Sequence, residues 1–511
     1  MDLKITKEAV CINEMIYEGS AELAIDSDVT LPDYCPDILR VLKCTIMPRI
    51  NSTQTAGDRI TVDGSALLRA IYVTESGKVH CYEQSIPFSK FIEQKGLESN
   101  PFVKVKIKTE YLNCRAVSQR RLDIHGALCI SFTVISKKPR ELLCEAEGAG
   151  IQTRKKDIEI CNVIGSTNRA FSLSDLIEIG ASKPPIAQII RSNAYATSSE
   201  TKIINNKVMI KGELVINIMY CSDTPEASLE TIETSLPISQ VIELVGITED
   251  CMTDIRLDMA SLDVIPKTDG SGSMRMLDIT AKIDAMMNAS KSMLLPIIVD
   301  AYSTDYDIDV DCKMTEYKNL IDSFTETCLC RGSIDVSGIG IKKVLDMWCS
   351  DVTSSAHENE GELIIRGTIN VCMIVCDADD QIGYIERQVN YEHSKKLCCS
   401  AERIECDPCV TVCASSFVIG AGENIDVRIE IKVQASIFSV TSNRMIDEIV
   451  VNEEQGRKKS KPVLTIYFSQ GGESIWDIAR KYNTTVEAIM RENSLTEDSV
   501  SEKAMLLIPG I

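Results

Sequence analysis

One apolar pattern returns three times along the chain at a spacing of about 150 residues, and this repeat constrains the fold more than any other feature. Ile38-Leu39-Arg40-Val41-Leu42 is followed, 23 residues after Val41, by Gly64. Residues 186–190 are followed, 23 after Ile189, by Gly212, and residues 341–345 are followed, 23 after Val344, by Gly367. Each glycine comes after an alternating apolar pair (Ile60 and Val62, Val208 and Ile210, Leu363 and Ile365) and sits eight residues before Tyr72, Tyr220 or Val375. Such alternation is strand periodicity. Glycine weakens a strand, so three in register predict a bulge or a close backbone approach that every copy must make. Further on, Leu122-Asp123-Ile124, Leu277-Asp278-Ile279 and Ile425-Asp426-Val427 lie 58, 65 and 58 residues beyond the glycines. The longer gap holds the loop Thr268-Asp269-Gly270-Ser271-Gly272-Ser273.

A unit of this length is far larger than a solenoid repeat, so each copy should carry its own core. Alternation is strong, as in residues 425–433, and long stretches of 3.6-residue period are few. The expected fold is mainly β, with three sandwich-like repeats at 1–165, 166–322 and 323–450. The 38–42 segment reads as a helical turn packed on the sandwich, and the leader 1–30 has no assigned counterpart. Residues 451–462 are a polar run with nothing to bury and read as a linker.

Residues 463–511 have a different periodicity, in the order strand, helix, helix, strand. Ser474 with Asp477 has the spacing of a capping box, and Ile475, Ile478, Ala479 and Tyr482 fall on one helical face. Thr484 with Glu487 is read as the cap of a second helix, whose apolar face is Val486, Ile489 and Met490; Asn493 suits a left-handed stop. Leu506, Ile508 and Pro509 supply a closing strand.

This module resembles the LysM family through Tyr467, Gly472-Glu473-Ser474-Ile475-Trp476-Asp477-Ile478-Ala479, Tyr482, Thr485, Asn493-Ser494-Leu495 and Leu506-Leu507-Ile508-Pro509. It departs from the family at Ser469, where valine is usual, and at Lys503, where glycine is usual. The resemblance implies a βααβ fold that binds N-acetylglucosamine glycans in a shallow groove between two loops. Carried onto this chain, the binding residues are Gly472, Glu473, Ser474, Ile475 and Trp476 on one side and Asn493, Ser494, Leu495 and Thr496 on the other. Core packing is the competing and preferred reading of Trp476.

The three repeats with a terminal LysM resemble the SPOCS-repeat family of spore coat morphogenetic proteins. The residues that carry this are Leu31-Pro32-Asp33-Tyr34-Cys35-Pro36-Asp37-Ile38, Ile210-Lys211-Gly212-Glu213-Leu214 through Tyr220, and Val299-Asp300-Ala301-Tyr302-Ser303-Thr304. The family implies a non-enzymatic scaffold in the mother-cell cytoplasm that encases the forespore surface with coat. Its implied partners are the SpoIVA-type coat-basement ATPase and other coat proteins. The alternative is that the LysM binds peptidoglycan or its lipid-linked precursor. Neither an export signal at Met1-Asp2-Leu3-Lys4-Ile5 nor a run of about 18 apolar residues is present, so a cytosolic chain would not meet polymerised glycan.

Composition narrows the field further. A net charge of −21 repels polyanions, which argues against nucleic acid. Apolar residues at 44% with 25% charged predict a folded, soluble chain. Twenty-one cysteines in a large chain without an export signal read as reduced, packed thiols. No catalytic centre is expected: of the four histidines (His80, His125, His357, His393), His125 corresponds in the repeat to Thr280 and Arg428, and no Asp-Cys-Ser-Gly nucleophile segment occurs. No cofactor is expected either. Cys398, Cys399, Cys406, Cys409 and Cys413 come nearest to a zinc set, but Cys409 and Cys413 keep step with a strand. Asp305, Asp307, Asp309, Asp311 and Glu316 mimic a calcium loop, with Val310 where the turn needs glycine, so a strand with one acidic face is preferred.

Overall fold

The alternating segments become strands in a computed structural model, which describes residues 3–97, 101–397, 403–420, 424–456, 464–500 and 502–510. In the first copy β1 (Lys4–Thr30), β2 (Ile38–Ala56), β3 (Arg59–Thr74), β4 (Val79–Glu93), β5 (Phe102–Ser118) and β6 (Arg121–Glu147) form two antiparallel sheets, β1-β6-β5 and β2-β3-β4. The second copy repeats the course with β7 (Ile151–Glu178), β8 (Ile186–Ile204), β9 (Lys207–Ser222), β10 (Leu229–Glu243), β11 (Met252–Thr268) and β12 (Met274–Ser303). The third has β13 (Tyr306–Asp335), β14 (Ile341–Ser350), β15 (Ser355–Asn359), β16 (Glu362–Asp377), β17 (Ile382–Lys396), β18 (Arg403–Cys406), β19 (Cys409–Ile419) and β20 (Asn424–Gly456). There β14 and β15 together stand for β2, and β18 and β19 for β5, the latter split where Pro408 has no N–H to offer the ladder. In each copy the two sheets face one another over a core, as with Ile60, Val62 and Leu68 against Leu122, Ile124 and Leu128.

The glycines do what their register demanded. A Cβ on Gly64, Gly212 or Gly367 would drive into the carbonyl oxygen of Arg49, Thr197 or Thr353 on the neighbouring strand. Opposite the first two, that strand bulges between Ile50 and Ser52 and between Ser198 and Glu200; opposite the third it breaks between β14 and β15.

Several expectations are corrected. Residues 38–42 are strand, not a helical turn, as are their counterparts in β8 and β14. Each carries two bulges, at Ile38/Arg40 and Val41/Lys43, Ile186/Gln188 and Ile189/Arg191, and Ile341/Lys343 and Val344/Asp346. Each bulge shifts the alternation by one residue, so the inward Ile38 and Leu42 with half-buried Val41 take on helical spacing. The leader contributes β1, and its counterparts β7 and β13 contain the positions 165/166 and 322/323 at which the copies were expected to divide. Strand-free connections lie instead at 148–150 and 304–305. The expected linker begins too early, since β20 runs to Gly456; residues 457–462 lie outside the described residues.

The connection from β1 to β2, the Leu31–Ile38 motif, is clasped by Arg120, whose guanidinium donates to Asp37 at 2.7 Å and to the Pro32 carbonyl at 2.8 Å. Tyr72 donates to the Pro36 carbonyl at 3.0 Å, and Tyr220 repeats the contact with Pro184 at 2.9 Å. Val375 has no hydroxyl with which to do so in the third copy.

The copies close into a ring. Strand β4 packs on β8, β10 on β14 and β17 on β2, so each copy meets the next through the same strands. A central cluster takes equivalent residues from all three: Leu42, Ile190 and Leu345, and Ile71, Met219 and Ile374. The outer halves of the long strands form two further three-way clusters, one with Leu142, Ile297 and Met445 and the other with Leu143, Ile298 and Ile446. At the junction of the second and third copies Arg191 and Asp346, both more than nine-tenths buried, pair at 2.8 Å. Asp407 joins three, reaching Lys104 of the first at 3.4 Å and Arg256 of the second at 3.1 Å.

Candidate binding surface of the C-terminal module

The module is built from β21 (Leu464–Phe468), α1 (Ile475–Tyr482), α2 (Val486–Asn493) and β22 (Met505–Pro509), with β21 and β22 antiparallel. Ile475, Ile478, Ala479, Ile489, Leu506 and Ile508 fill its core. The capping differs in detail from the expected one. Ser474 precedes α1 in extended conformation, but its side chain makes no cap bond. The second helix is capped by Thr485, which accepts from Ala488 N at 3.1 Å; Thr484, one residue earlier, is buried. The left-handed stop is Ser494 rather than Asn493. Asn493 stays in α2, where its amide donates to the Ile489 and Leu507 carbonyls and accepts from Leu507 N, tying the helix to β22. Ser469, the departure from the usual valine, exchanges two hydrogen bonds with the Ala504 backbone.

The two expected loops are brought together. Gly472 N donates to the Val500 carbonyl at 2.6 Å, Val500 N to the Glu473 carbonyl at 2.9 Å, and Ile475 N to the Asp498 carbonyl at 2.8 Å. The second loop thus touches the first through 498–500, just beyond the predicted 493–496. Gly472, Ser494 and Thr496 are exposed, Glu473, Ser474, Asn493 and Leu495 partly so, and Ile475 is fully buried. Gly472 has φ of 89°, a left-handed conformation that suits glycine. Glu473 accepts from the Tyr467 hydroxyl at 3.2 Å and from Gln470 N at 3.1 Å, which braces the loop.

Trp476 lies elsewhere. It is 7% exposed, its ring edge-on to Tyr302 with centroids 4.9 Å apart. Its Nε1 donates to Asp300 at 2.8 Å, Arg480 donates to both oxygens of the same carboxylate at 3.1 and 3.0 Å, and the Tyr302 hydroxyl donates to the Thr484 carbonyl at 2.7 Å. The α1 face is therefore docked on β12 of the second copy, not on a free tether. Sequence reasoning quoted Asp300 and Tyr302 but gave them no role. The usable signal was the break at Tyr302, whose counterparts are Glu147 in the first copy and Val450 in the third; Asp300 gives none, since its counterparts Glu145 and Glu448 are carboxylates too.

A family comparison matches residues 37–117 and 185–265 to the SipL SPOCS domain and residues 470–509 to the LysM domain. The chain carries two SPOCS domains and a LysM domain. No curated protein and no solved structure matches it. The SPOCS matches cover β2 to β5 and β8 to the greater part of β11, the copies with the tyrosine-to-proline bond; the third copy follows the same strand course without a match. SPOCS and LysM are non-catalytic binding domains, and the pair marks a sporulation, coat-related protein with a peptidoglycan-binding type of module. No helix among the described residues is long and apolar enough to cross a membrane.

The remaining candidates are placed as follows. Exposed His125 lies between Asp26 at 2.9 Å and Asp123 at 3.1 Å, and the hydrogen bond to Asp26 raises its pKa above the ordinary histidine value. Cys406 ends β18 and Cys409 begins β19; burial pushes the Cys406 thiol up to about 11. Cys398 and Cys399 lie outside the described residues. Asp307, Asp309 and Asp311 alternate outward on β13 with half-buried Ile308 and Val310 between them, a strand with an acidic face. Among the described residues no group of three or more His, Cys, Asp or Glu side chains is placed to hold a metal.

Proposed function

We propose that the chain is a non-enzymatic spore coat assembly scaffold that binds the SpoIVA-type coat-basement ATPase, together with other coat proteins, at the forespore surface from the mother-cell cytoplasm. The observation that carries the reading is the SPOCS match on a body of three copies closed around shared cores, with a second kind of binding module docked on it. Such a body offers several rigid surfaces at fixed spacing, which suits engagement with a polymerised layer, where each added contact raises the effective concentration of the next. Its net charge of −21 disfavours nucleic acid as the layer's alternative.

A second reading is favoured by the LysM loops themselves. Gly472, Ser494 and Thr496 remain exposed while α1 is docked, so an N-acetylglucosamine glycan or its lipid-linked precursor has access to the loop pair. Capture of the SpoIVA-type ATPase by the full chain, and by a chain lacking residues 463–511, tests the scaffold. The full chain should retain the ATPase. Failure to do so overturns the reading, and undiminished capture by the shortened chain excludes the LysM as the principal contact. Titration with N-acetylglucosamine oligomers should give little or no binding; tight binding moves the function to the glycan reading.

A further inference from the structure

The three junctions of the ring share one design, and one of them lacks a part. On the third strand of its hairpin sheet each copy carries a glutamate, Glu83, Glu233 or Glu386, paired in register with Arg69, Asn217 or Cys372. At the first junction Arg69 Nε donates to Glu83 at 2.5 Å, and the guanidinium continues to Ser192 of the second copy. At the junction of the third copy with the first, Lys43 donates to Glu386 at 2.6 Å. Two different residues thus supply the same thing, a cation beside the glutamate.

At the junction between the second and third copies neither source exists. The position of Arg69 is Asn217, and the position of Lys43 is Asp346, a second carboxylate. The one cation on the wall, Arg191, gives both Nε and a terminal nitrogen to Asp346, at 3.2 and 2.8 Å. What remains is a cavity of about 480 Å³, lined by Glu233, Asn217, Asn193 and Tyr195 on its polar side and by Trp348 and Phe417 among its apolar walls. Glu233 is exposed and no cation lies among the cavity's lining residues except Arg191, which is engaged with Asp346. The volume is that of a small-molecule site, within the usual range of roughly 300–1,000 Å³.

We infer that this cavity binds a small organic cation, an alkyl ammonium or guanidinium compound, whose charged group sits against Glu233 where Arg69 and Lys43 sit at the other two junctions. A charge-assisted hydrogen bond to the carboxylate supplies the anchor, the asparagine amides fix orientation, and the apolar walls take the methylene chain. Because its walls come from two copies, an occupant would add a link between them.

Calorimetric titration of the full chain with agmatine and with spermidine tests this. One equivalent of at least one of them should bind wild-type protein. Glu233→Gln should weaken that binding at least tenfold with an unchanged melting temperature in the absence of ligand. Asn217→Arg, which writes the first copy's residue into the second, should abolish binding and raise the melting temperature by filling the cavity. Absence of binding to wild type overturns the inference. So does equal binding by all three proteins, because attraction to an acidic surface is indifferent to these two positions.

Discussion

Trp476 of the LysM module donates its indole N–H to Asp300 of the second SPOCS copy at 2.8 Å, and Arg480 closes on the same carboxylate. A hydrogen bond to a charged group contributes about 1.5–3 kcal/mol, toward the lower figure here because Asp300 keeps partial access to water. The chain has two tryptophans, so in a Trp348→Phe background Trp476 is the sole reporter. Asp300→Ala with Tyr302→Ala should shift its emission to the red as the ring meets water. An unchanged spectrum would mean that the docked arrangement is not populated in solution.

The Arg191–Asp346 pair sits where charge is hard to solvate. Asp346→Ala leaves a buried guanidinium without its partner, which costs about 3–5 kcal/mol. Arg191→Met added to Asp346→Ala should recover most of that loss, because two apolar residues suit the central cluster of Leu42, Ile190 and Trp348. Chemical denaturation of the single and double variants checks it; additive losses would contradict the pairing.

Close backbone approach gives the glycine prediction. Gly212→Ala places a methyl group against the Thr197 carbonyl, and the bulge there leaves no slack, so a destabilisation of about 2–3 kcal/mol is expected. Gly180→Ala, with no neighbouring atom closer than Ser182 Oγ at 4.0 Å, should change stability by less than about 0.5 kcal/mol. Equal effects at the two sites would remove the proposed reason for the repeated glycine.

Acid should loosen the ring. Burial raises the Asp407 pKa, but Arg256, Lys106 and Lys104 outweigh it and hold the carboxyl below its ordinary value. Burial likewise raises the Glu386 pKa, and hydrogen bonds from Lys43 and Tyr384 outweigh it, so this carboxyl too lies below its ordinary value. A group whose pKa is depressed by folding contributes stability above its unfolded value, near 4, and loses it as the pH falls through the folded one. The gap in melting temperature between wild type and Asp407→Asn with Glu386→Gln should be full at pH 7 and shrink below about pH 4. A gap independent of pH would exclude these carboxylates as links between copies.

The strands and the LysM helices were legible because one face of each is buried, and a single buried face prints its period on the sequence. Residues 38–42 misled because a bulge prints the wrong one: two register shifts between Ile38 and Lys43 turn alternation into helical spacing. The leader escaped because β1 shows few fully buried residues, being covered partly by other copies rather than by its own sandwich. For the same reason the site was only half visible. The loops of the LysM are local in sequence, whereas Asp300 meets Trp476 across 176 residues, and Glu233 is conspicuous only once Arg69 and Lys43 are seen filling the equivalent places.

The central claim is that this body acts by being recruited as a binding scaffold, and imaging of a tagged copy during sporulation tests it most directly. The account predicts a shell of signal around the forespore that disperses into the mother cell when the coat-basement ATPase is deleted. Diffuse signal at every stage in cells that retain the ATPase would contradict it.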